Sequence, residues 1–477
     1  MHTSPPTQSP ARLGTGWLVV VLAFVLLKQL TWLAALPLWQ SPDEPAHFHY
    51  VQYLAETGRL PRFDRSRPTN VSSPEVAYTE THALLNHAAF HTDHRPVTGT
   101  ASVAPGEARL RQPPPLERLN DGNSTAAPYP PAYYGLAAGV YRLFGDSDIL
   151  TRVFAVRSLS IAFVLGTVVL AWLLAGELWP GPRIRAAFAL VVGCQPMLAM
   201  MGVSVNNDAM LVMSGSALAW LLLRTWRVAP GVLSGVAMGL CLGVAWLTKP
   251  QGMVLAPFIP MITAMFTWQQ SRPWLGWVRA MAGVAIGTAL LAGPWLWHLQ
   301  QTYGTFLPAL GGLSPVPMTT LPRYLTEHVL QPGLSRTHTV WVEQYWATFG
   351  WLDTRTSDLA YRIVEAFAWV GAFGAWRAAS QCPGRLRSVL AGCILLTAGF
   401  LVALYAAEYQ VVRGTGIPML QGRYLLPVLL PHMLMFFTGC LMLARQERRV
   451  LVAGIMAAGF VSFQALALLR VLERYYA

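Results

Sequence analysis

The sequence predicts an all-α integral membrane protein of about eleven transmembrane helices, with amphipathic surface helices in a long first external loop. Three observations predict it. Of the 477 residues, 54% are hydrophobic and only 12% charged, about half the charged fraction of a soluble domain. Mean hydropathy is +0.41. Apolar runs of about 17–25 residues recur along the whole chain, the length that crosses a bilayer core as a helix. A net charge of +12 and a pI near 9.8 would suit a nucleic-acid partner by magnitude alone. The basic residues, however, fall in short loops between apolar runs, where they set topology. No nucleic-acid partner is expected.

The predicted spans are 15–37, 153–176, 184–202, 208–224, 231–248, 252–268, 278–297, 360–376, 388–406, 423–444 and 450–470. The chain therefore reads as a single polytopic domain, 1–477, interrupted by two long hydrophilic loops at 38–152 and 298–359. The first apolar run is too long for a cleaved signal peptide, and no small-residue cleavage site follows it. One set of short loops carries Arg183, Arg185, Arg224, Arg227, Arg272, Arg279, Arg377, Arg385, Arg387, Arg445, Arg448 and Arg449. The alternate set holds Lys249, Arg413 and Arg423. The positive-inside rule then puts the first set and the N-terminus in the cytoplasm and both long loops outside. The bias towards Arg, with Lys only at 28 and 249, fits a GC-rich bacterial genome and hence a bacterial cytoplasmic (inner) membrane. The five cysteines lie in apolar runs or a short loop, so no disulfide framework is expected.

Just beyond the first span stands an acidic knot, Ser41-Pro42-Asp43-Glu44-Pro45-Ala46-His47. Ser41-x-x-Glu44 with Pro42 has the form of a capping box opening a surface helix over 42–58, closed by Gly58. Glu44 is thus either a cap or a catalytic carboxylate. Asp43, at a helix N-terminus that holds a carboxylate ionised, has what a general base for a hydroxyl proton needs. His47, one turn on, is placed to line the same cavity. The remaining first-loop histidines, His49, His82, His87, His91 and His94, read as surface groups; a zinc site there matches no signature closely.

Asn206-Asn207-Asp208 forms a short turn between two spans, where Asp208 is either a turn residue or a second carboxylate facing the cavity. Lys249, in Leu247-Thr248-Lys249-Pro250, either snorkels or holds a phosphate. Arg423, between Gly422 and Tyr424 at the start of a span, either snorkels or uses a guanidinium suited to bidentate phosphate recognition. Lys28 falls near the middle of the first span with no visible partner, so it either snorkels or marks a functional site. Tyr129-Pro130-Pro131-Ala132-Tyr133-Tyr134 opens an amphipathic stretch over 131–144, and Trp346, Phe349 and Trp351 precede Asp353. These aromatics read first as interface anchors, and otherwise as a grip for a sugar ring or a lipid chain. Asn70-Val71-Ser72 and Asn123-Ser124-Thr125 match a glycosylation acceptor pattern that carries no weight in a bacterial chain. In the predicted orientation five segments bring polar groups to one external rim, the pattern of a single active-site cavity.

These motifs, in this order, resemble the GT-C superfamily of polytopic glycosyltransferases, above all the branch of protein O-mannosyltransferases and lipid A aminoarabinose transferases with its uncharacterised bacterial relatives. The resemblance rests on Asp43-Glu44 after the first span, on Tyr129 to Tyr134 with Leu143-Phe144-Gly145, and on Asn207-Asp208. Leu247-Thr248-Lys249-Pro250 and Gln421-Gly422-Arg423-Tyr424 complete it, and the set spans roughly 15–445. It implies transfer of a sugar from a polyprenyl-phosphate donor to a glycan, lipid or protein acceptor at the outer face. The chain ends at Tyr475-Tyr476-Ala477 without a soluble domain, which favours a glycan or lipid acceptor over a protein. By the resemblance Asp43 matches the first member of the catalytic acid pair; Glu44 and Asp208 complete the candidate catalytic set. His47, Lys249, Asp353, Arg423 and Tyr424 are the candidate substrate-binding residues. No cofactor is required by the sequence, and a divalent metal held by Asp43 and Asp208 stays open. The alternatives are a transporter or flippase of a lipid-linked sugar and a non-catalytic membrane protein. Transporters commonly carry inverted repeats and mid-membrane polar sites, and neither is evident here.

Overall fold

The computed structural model describes residues 10–64, 66–70, 72–82, 97–98, 101, 104–110, 112, 117–306, 317–330, 333–382, 384–416 and 418–477. Helices dominate. Helix α1 (Pro10–Ala35) leads into the first loop, which contains α2 (Glu44–Thr57), α3 (Pro74–His82), a short helix Ala104–Leu110 and α4 (Ala132–Leu143). The bundle continues with α5 (Ile149–Ala175), α6 (Pro182–Gly193), α7 (Pro196–Met201), α8 (Asp208–Arg224), α9 (Val232–Thr248), α10 (Phe258–Gln269) and α11 (Trp274–Tyr303). After the second loop come α12 (Asp358–Gln381), α13 (Arg385–Thr415), α14 (Leu429–Leu443) and α15 (Arg449–Tyr476). Each predicted span thus coincides with helix. Among the described residues, seven helical stretches are long and apolar enough to cross a membrane. The predicted spans 184–202, 208–224, 231–248 and 360–376 fall on helices that are shorter or more polar than that standard.

Three of the predicted spans are broken, each for a local reason. At 184–202 the helix stops at Gly193 and restarts at Pro196, whose ring cannot continue a helix. Gln195 bridges the break, its side chain accepting from Leu198 N at 2.5 Å and donating to Tyr345 O at 2.7 Å. Lys28 answers the carbonyl left over at the end of α6: its Nζ donates to Gly193 O at 2.6 Å. It neither snorkels nor approaches the polar rim; it satisfies an orphan acceptor inside the bundle. The predicted spans 252–268 and 423–444 open instead as tight 3₁₀ turns, Pro250–Leu255 and Gly422–Val428.

Close helix contact is made by small residues. Gly235 and Gly239 of α9 lie against the Ala280 and Val284 carbonyls of α11, while Gly283 and Gly287 face back onto Val232 and Val236. A Cβ at any of the four would run into the facing backbone, the usual reason for glycine in membrane helix contacts.

A second hydrophobic core locks the first loop to the end of the bundle. It joins Leu38, Phe48, Val51, Tyr133 and Tyr134 to Val153 and Val156 of α5 and to Val205 and Ala209 beside α8. Helix α2 is therefore not a helix lying on a surface with one face wet. Ten of its residues, including Glu44, His47, Phe48 and Tyr50, are buried. The aromatics read as interface anchors are likewise interior: Tyr133 and Tyr134 are fully buried, and Trp346 and Phe349 are 3% and 0% exposed. The second loop is not plain loop either. It includes helical turns and a two-stranded hairpin, Thr348–Phe349 with Thr354–Arg355, and Trp351 Nε1 ties it to Trp39 O at 3.0 Å.

Candidate active site

The acidic knot divides into two carboxylates with opposite fates. Glu44, not Ser41 or Pro42, opens α2, and Asp43 occupies the cap position without making a side-chain capping bond. The predicted capping box does not form. Glu44 points instead into the protein, accepting from Arg157 Nε at 2.7 Å and Nη2 at 2.6 Å and from Val205 N at 2.9 Å. Both side chains of this pair are 0% exposed. Arg157 also donates to Leu36 O and Pro37 O at 2.7 and 2.9 Å. Glu44 is thus a strut that fixes the turn between α1 and α2, where the sequence left it as either a cap or a catalytic carboxylate.

Asp43 faces the other way. Its backbone lies in the left-handed region at φ 63°, as Trp39 does at φ 59°. Such a conformation is uncommon for a non-glycine residue and is enriched for Asp and Asn. Its side chain is 53% exposed and accepts from Arg423 Nη2 at 2.5 Å. The same guanidinium presents Nε to Asp208 Oδ2 at 3.8 Å, and Lys249 Nζ donates to Asp208 Oδ1 at 2.5 Å. Tyr424 lies beneath both cations, its ring centre 5.1 Å from Lys249 Nζ and 5.6 Å from Arg423 Cζ. Two carboxylates and two cations from four separated segments thus form one alternating cluster.

The walls of the cluster come from α2, α4 and the turn before α8. His47 lies one helical turn past Asp43, and its Nδ1 meets the Tyr134 hydroxyl at 2.6 Å. Tyr134 stacks on Tyr50 with centroids 3.8 Å apart. Asn207 Nδ2 donates to Thr248 O at 3.1 Å, fixing the turn before α8 against the end of α9, and Asp208 N donates to Asn206 Oδ1 at 2.6 Å. Asn206 N in turn donates to Tyr133 Oη at 3.0 Å. Tyr133 and Tyr134, part of the motif that carries the resemblance but read first as interface anchors, thus help to build the site.

Asp353 stands apart from this set. Arg474 Nη2 donates to its carboxylate at 2.8 Å and Thr354 Oγ1 at 3.1 Å, at the base of the hairpin in the second loop. It is paired to the last helix rather than to Asp43, Asp208, Lys249 or Arg423. His87, His91 and His94 lie outside the described residues. Among the described residues no group of three or more His, Cys, Asp or Glu side chains has metal-binding geometry. The carboxylates that converge, Asp43 and Asp208, already face Arg423 and Lys249.

Electrostatics separate Asp43 from His47. Partial burial works to raise the Asp43 carboxyl, but Arg423, with Lys249 behind it, outweighs that and holds it below the usual carboxylate range. Burial pulls His47 from 6.5 down to about 4, against the opposing pull of Asp43. His47 is therefore neutral at physiological pH. The sign of the pH dependence follows: as pH falls from 6.5 towards 4, the unfolded chain takes up a proton that the folded state refuses, so stability declines across that window. The thermal midpoint of the wild type is expected to drop between pH 6.5 and 4. His47→Gln should lose that part of the slope; an unchanged slope would remove His47 as its source.

Several buried polar atoms of the cluster have no hydrogen-bond partner among the described residues. They include Arg423 Nη1 and Nε, Asp208 Oδ2 and Asn207 Oδ1. Buried guanidinium donors left open at one end of an ion-pair cluster are the arrangement expected of an anion site.

A family model described as Predicted membrane protein (DUF2142) matches residues 26–431. No curated protein matches the sequence. The crystal structure of ArnT from Cupriavidus metallidurans in the apo state is similar, with TM-score 0.51 and 14% identity over 96% of this chain and 77% of that one. The same protein bound to undecaprenyl phosphate gives TM-score 0.50 and 14% identity over 96% and 78%. An oligosaccharyltransferase from Archaeoglobus fulgidus in the apo form gives TM-score 0.42 and 12% identity over 96% and 56%. At these identities the likeness to ArnT shows the fold alone, GT-C-like.

Proposed function

We propose that this chain, which belongs to the family described as Predicted membrane protein (DUF2142), is a membrane glycosyltransferase. It moves a sugar from a polyprenyl-phosphate donor to a glycan, lipid or protein acceptor at the outer face of the cytoplasmic membrane. The observation that carries the reading is the cluster itself. A half-exposed carboxylate, Asp43, stands beside the buried cations Arg423 and Lys249, and two of the Arg423 nitrogens have no hydrogen-bond partner among the described residues. The GT-C-like fold supports it, and the structure of ArnT with undecaprenyl phosphate supplies the donor class by analogy. The outer-face assignment rests on the arginine asymmetry of the short loops.

The chemistry is a direct displacement. Asp43 takes the proton of an acceptor hydroxyl as its oxygen bonds to the anomeric carbon. The bond from that carbon to the phosphate oxygen breaks, and its electron pair leaves with the polyprenyl phosphate. Arg423 and Lys249 hold the departing negative charge. A phosphate monoester leaves without protonation, so the second carboxylate of a glycosidase is not needed. Asp208 then acts as a positioning residue, keeping Lys249 and Arg423 in place. Neutral His47 and the Tyr424 ring line the sugar path. Because Arg423 already binds Asp43, an arriving phosphate competes for it. Arg423 turning to the donor removes the cation that depresses Asp43, so donor binding itself makes the base stronger. No cofactor is needed in this scheme. A divalent cation at Asp43 and Asp208 would have to displace Arg423 and Lys249.

The test uses purified full-length protein in lipid nanodiscs and a panel of polyprenyl-phosphate sugars, with undecaprenyl phosphate as the binding probe. Wild type is expected to bind the probe and to transfer at least one sugar. Arg423→Ala should weaken binding by roughly 30-fold or more, the effect of removing one partner of a buried charge pair. Equal binding by wild type and Arg423→Ala would remove the phosphate site. In sealed vesicles, donor crossing the membrane without any transfer would make the protein a transporter instead.

A further inference from the structure

We propose that a cavity at the far end of α2 from Asp43 binds an anionic oligosaccharide. That the bound chain serves as the acceptor rests on the transferase reading; the binding does not. The cavity has a volume of about 940 Å³ and is lined by Tyr53, Arg59, Arg62, Phe63, Asn123 and Tyr303, among others. It lies at the upper end of the range that encloses a drug-sized ligand. Tyr53 follows Asp43 by ten residues of sequence, most of them helix. At 1.5 Å per residue the two are about 15 Å apart along the axis. That span is the length of a few sugar rings, which is the reach the acceptor reading requires of a chain resting in the cavity.

The wall is built rather than loose. The Asn123 side chain staples the 62–68 segment: its Oδ1 accepts from Asp64 N at 2.9 Å, and its Nδ2 donates to Asp64 O at 3.1 Å and Pro68 O at 3.0 Å. Backbone bonds run from Arg62 N to Gly122 O at 2.8 Å and from Ser124 N to Arg62 O at 2.9 Å. Gly122, at φ 76°, passes so close to the Tyr53 ring that a Cβ there would collide with it. The glycine thereby sets the ring against the wall. Tyr303, at the end of α11, hydrogen-bonds to the Phe63 backbone and closes the opposite side. This use of Asn123, whose residue is 2% exposed, also explains why Asn123-Ser124-Thr125 is no glycosylation site.

The charge of the lining selects the ligand. Arg67 is taken by Asp121, and the Asp64 carboxylate accepts from Ser66 N at 2.9 Å and Ser66 Oγ at 2.7 Å. The Arg59 and Arg62 guanidinium groups make no hydrogen bond or ion pair among the described residues. Two uncommitted planar cations match carboxylates or phosphates two oxygens at a time. The flat faces of Tyr53, Phe63 and Tyr303 match the apolar faces of sugar rings, as amphipathic aromatics do. Neutral glycans would use only the second feature, and small anions only the first.

Binding is measured by calorimetry on the full-length protein in detergent, with tetragalacturonate as the anionic probe and maltotetraose as the neutral one. Wild type is expected to bind the uronate and to bind maltotetraose roughly tenfold more weakly or worse. Arg59→Ala/Arg62→Ala should weaken uronate binding roughly 10- to 100-fold with an unchanged thermal midpoint. Uronate binding that survives the double substitution, equal affinity for the two probes, or no uronate binding by wild type would overturn the proposal. Intact uronate binding by a wild type inactive with every donor would overturn only the transferase reading.

Discussion

Asp43→Asn is expected to abolish glycosyl transfer, lowering its rate by about 10²- to 10⁴-fold, the usual contribution of a positioned general base. The substitution is close to isosteric, and Asn tolerates the left-handed backbone that Asp43 adopts at φ 63°. The side chain is half-exposed, and its loss frees Arg423 without leaving a new buried carboxylate. The thermal midpoint should therefore change little. The measurement pairs a transfer assay, using whichever polyprenyl-phosphate sugar the wild type accepts, with thermal unfolding of the same samples. Near-normal transfer in a folded Asp43→Asn variant would remove the base. Binding of undecaprenyl phosphate should persist, because Arg423 is released from Asp43 rather than lost. That persistence distinguishes a failed chemical step from a collapsed site.

Glu44→Ala is expected to act on the fold instead. It leaves Arg157, 0% exposed, facing its two backbone carbonyls with no counter-charge. Breaking a buried ion pair from one side costs about 3–5 kcal/mol, enough to deplete the folded protein. The measurement is the thermal midpoint in detergent, followed by loss of the monodisperse fraction on gel filtration. A double variant, Glu44→Met with Arg157→Met, should recover part of the loss, since replacing both partners by apolar groups is often neutral. If Glu44→Ala is as stable as wild type while transfer is lost, Glu44 belongs to the chemistry after all.

Adjacent residues with such different expected phenotypes show where reading the sequence stops. Gly58 ends α2 in the left-handed conformation, with its N–H on Leu54 O, and that was legible because helix stop signals are local. The helical position of each predicted span was legible for the same reason. The capping box was not a reliable signal. Its pattern was present, but Glu44 had a stronger partner in Arg157, 113 residues away. The grouping of Asp43, Asp208, Lys249 and Arg423 was anticipated from their shared side of the membrane. The alternation of their charges was not, since Asp43 and Arg423 are 380 residues apart. Asp353 shared the predicted side, yet Arg474 claims it. Common sidedness places a residue on a face of the bundle and leaves its position within that face undetermined.

By itself the sequence determined that this is a predominantly helical, multi-pass membrane protein and where its helices run. Those properties follow from local sums: hydropathy over a span and turn chemistry over a few residues. Only the tertiary structure decided which carboxylate of the acidic knot is a strut and which stands half-exposed beside Arg423. It also decided which aromatics are core and which cations keep unused donors. These depend on pairings between segments tens to hundreds of residues apart, and a buried charge takes its role from the partner that neutralises it. Asp43 is the candidate base because Arg157 took Glu44 and left its neighbour at the rim.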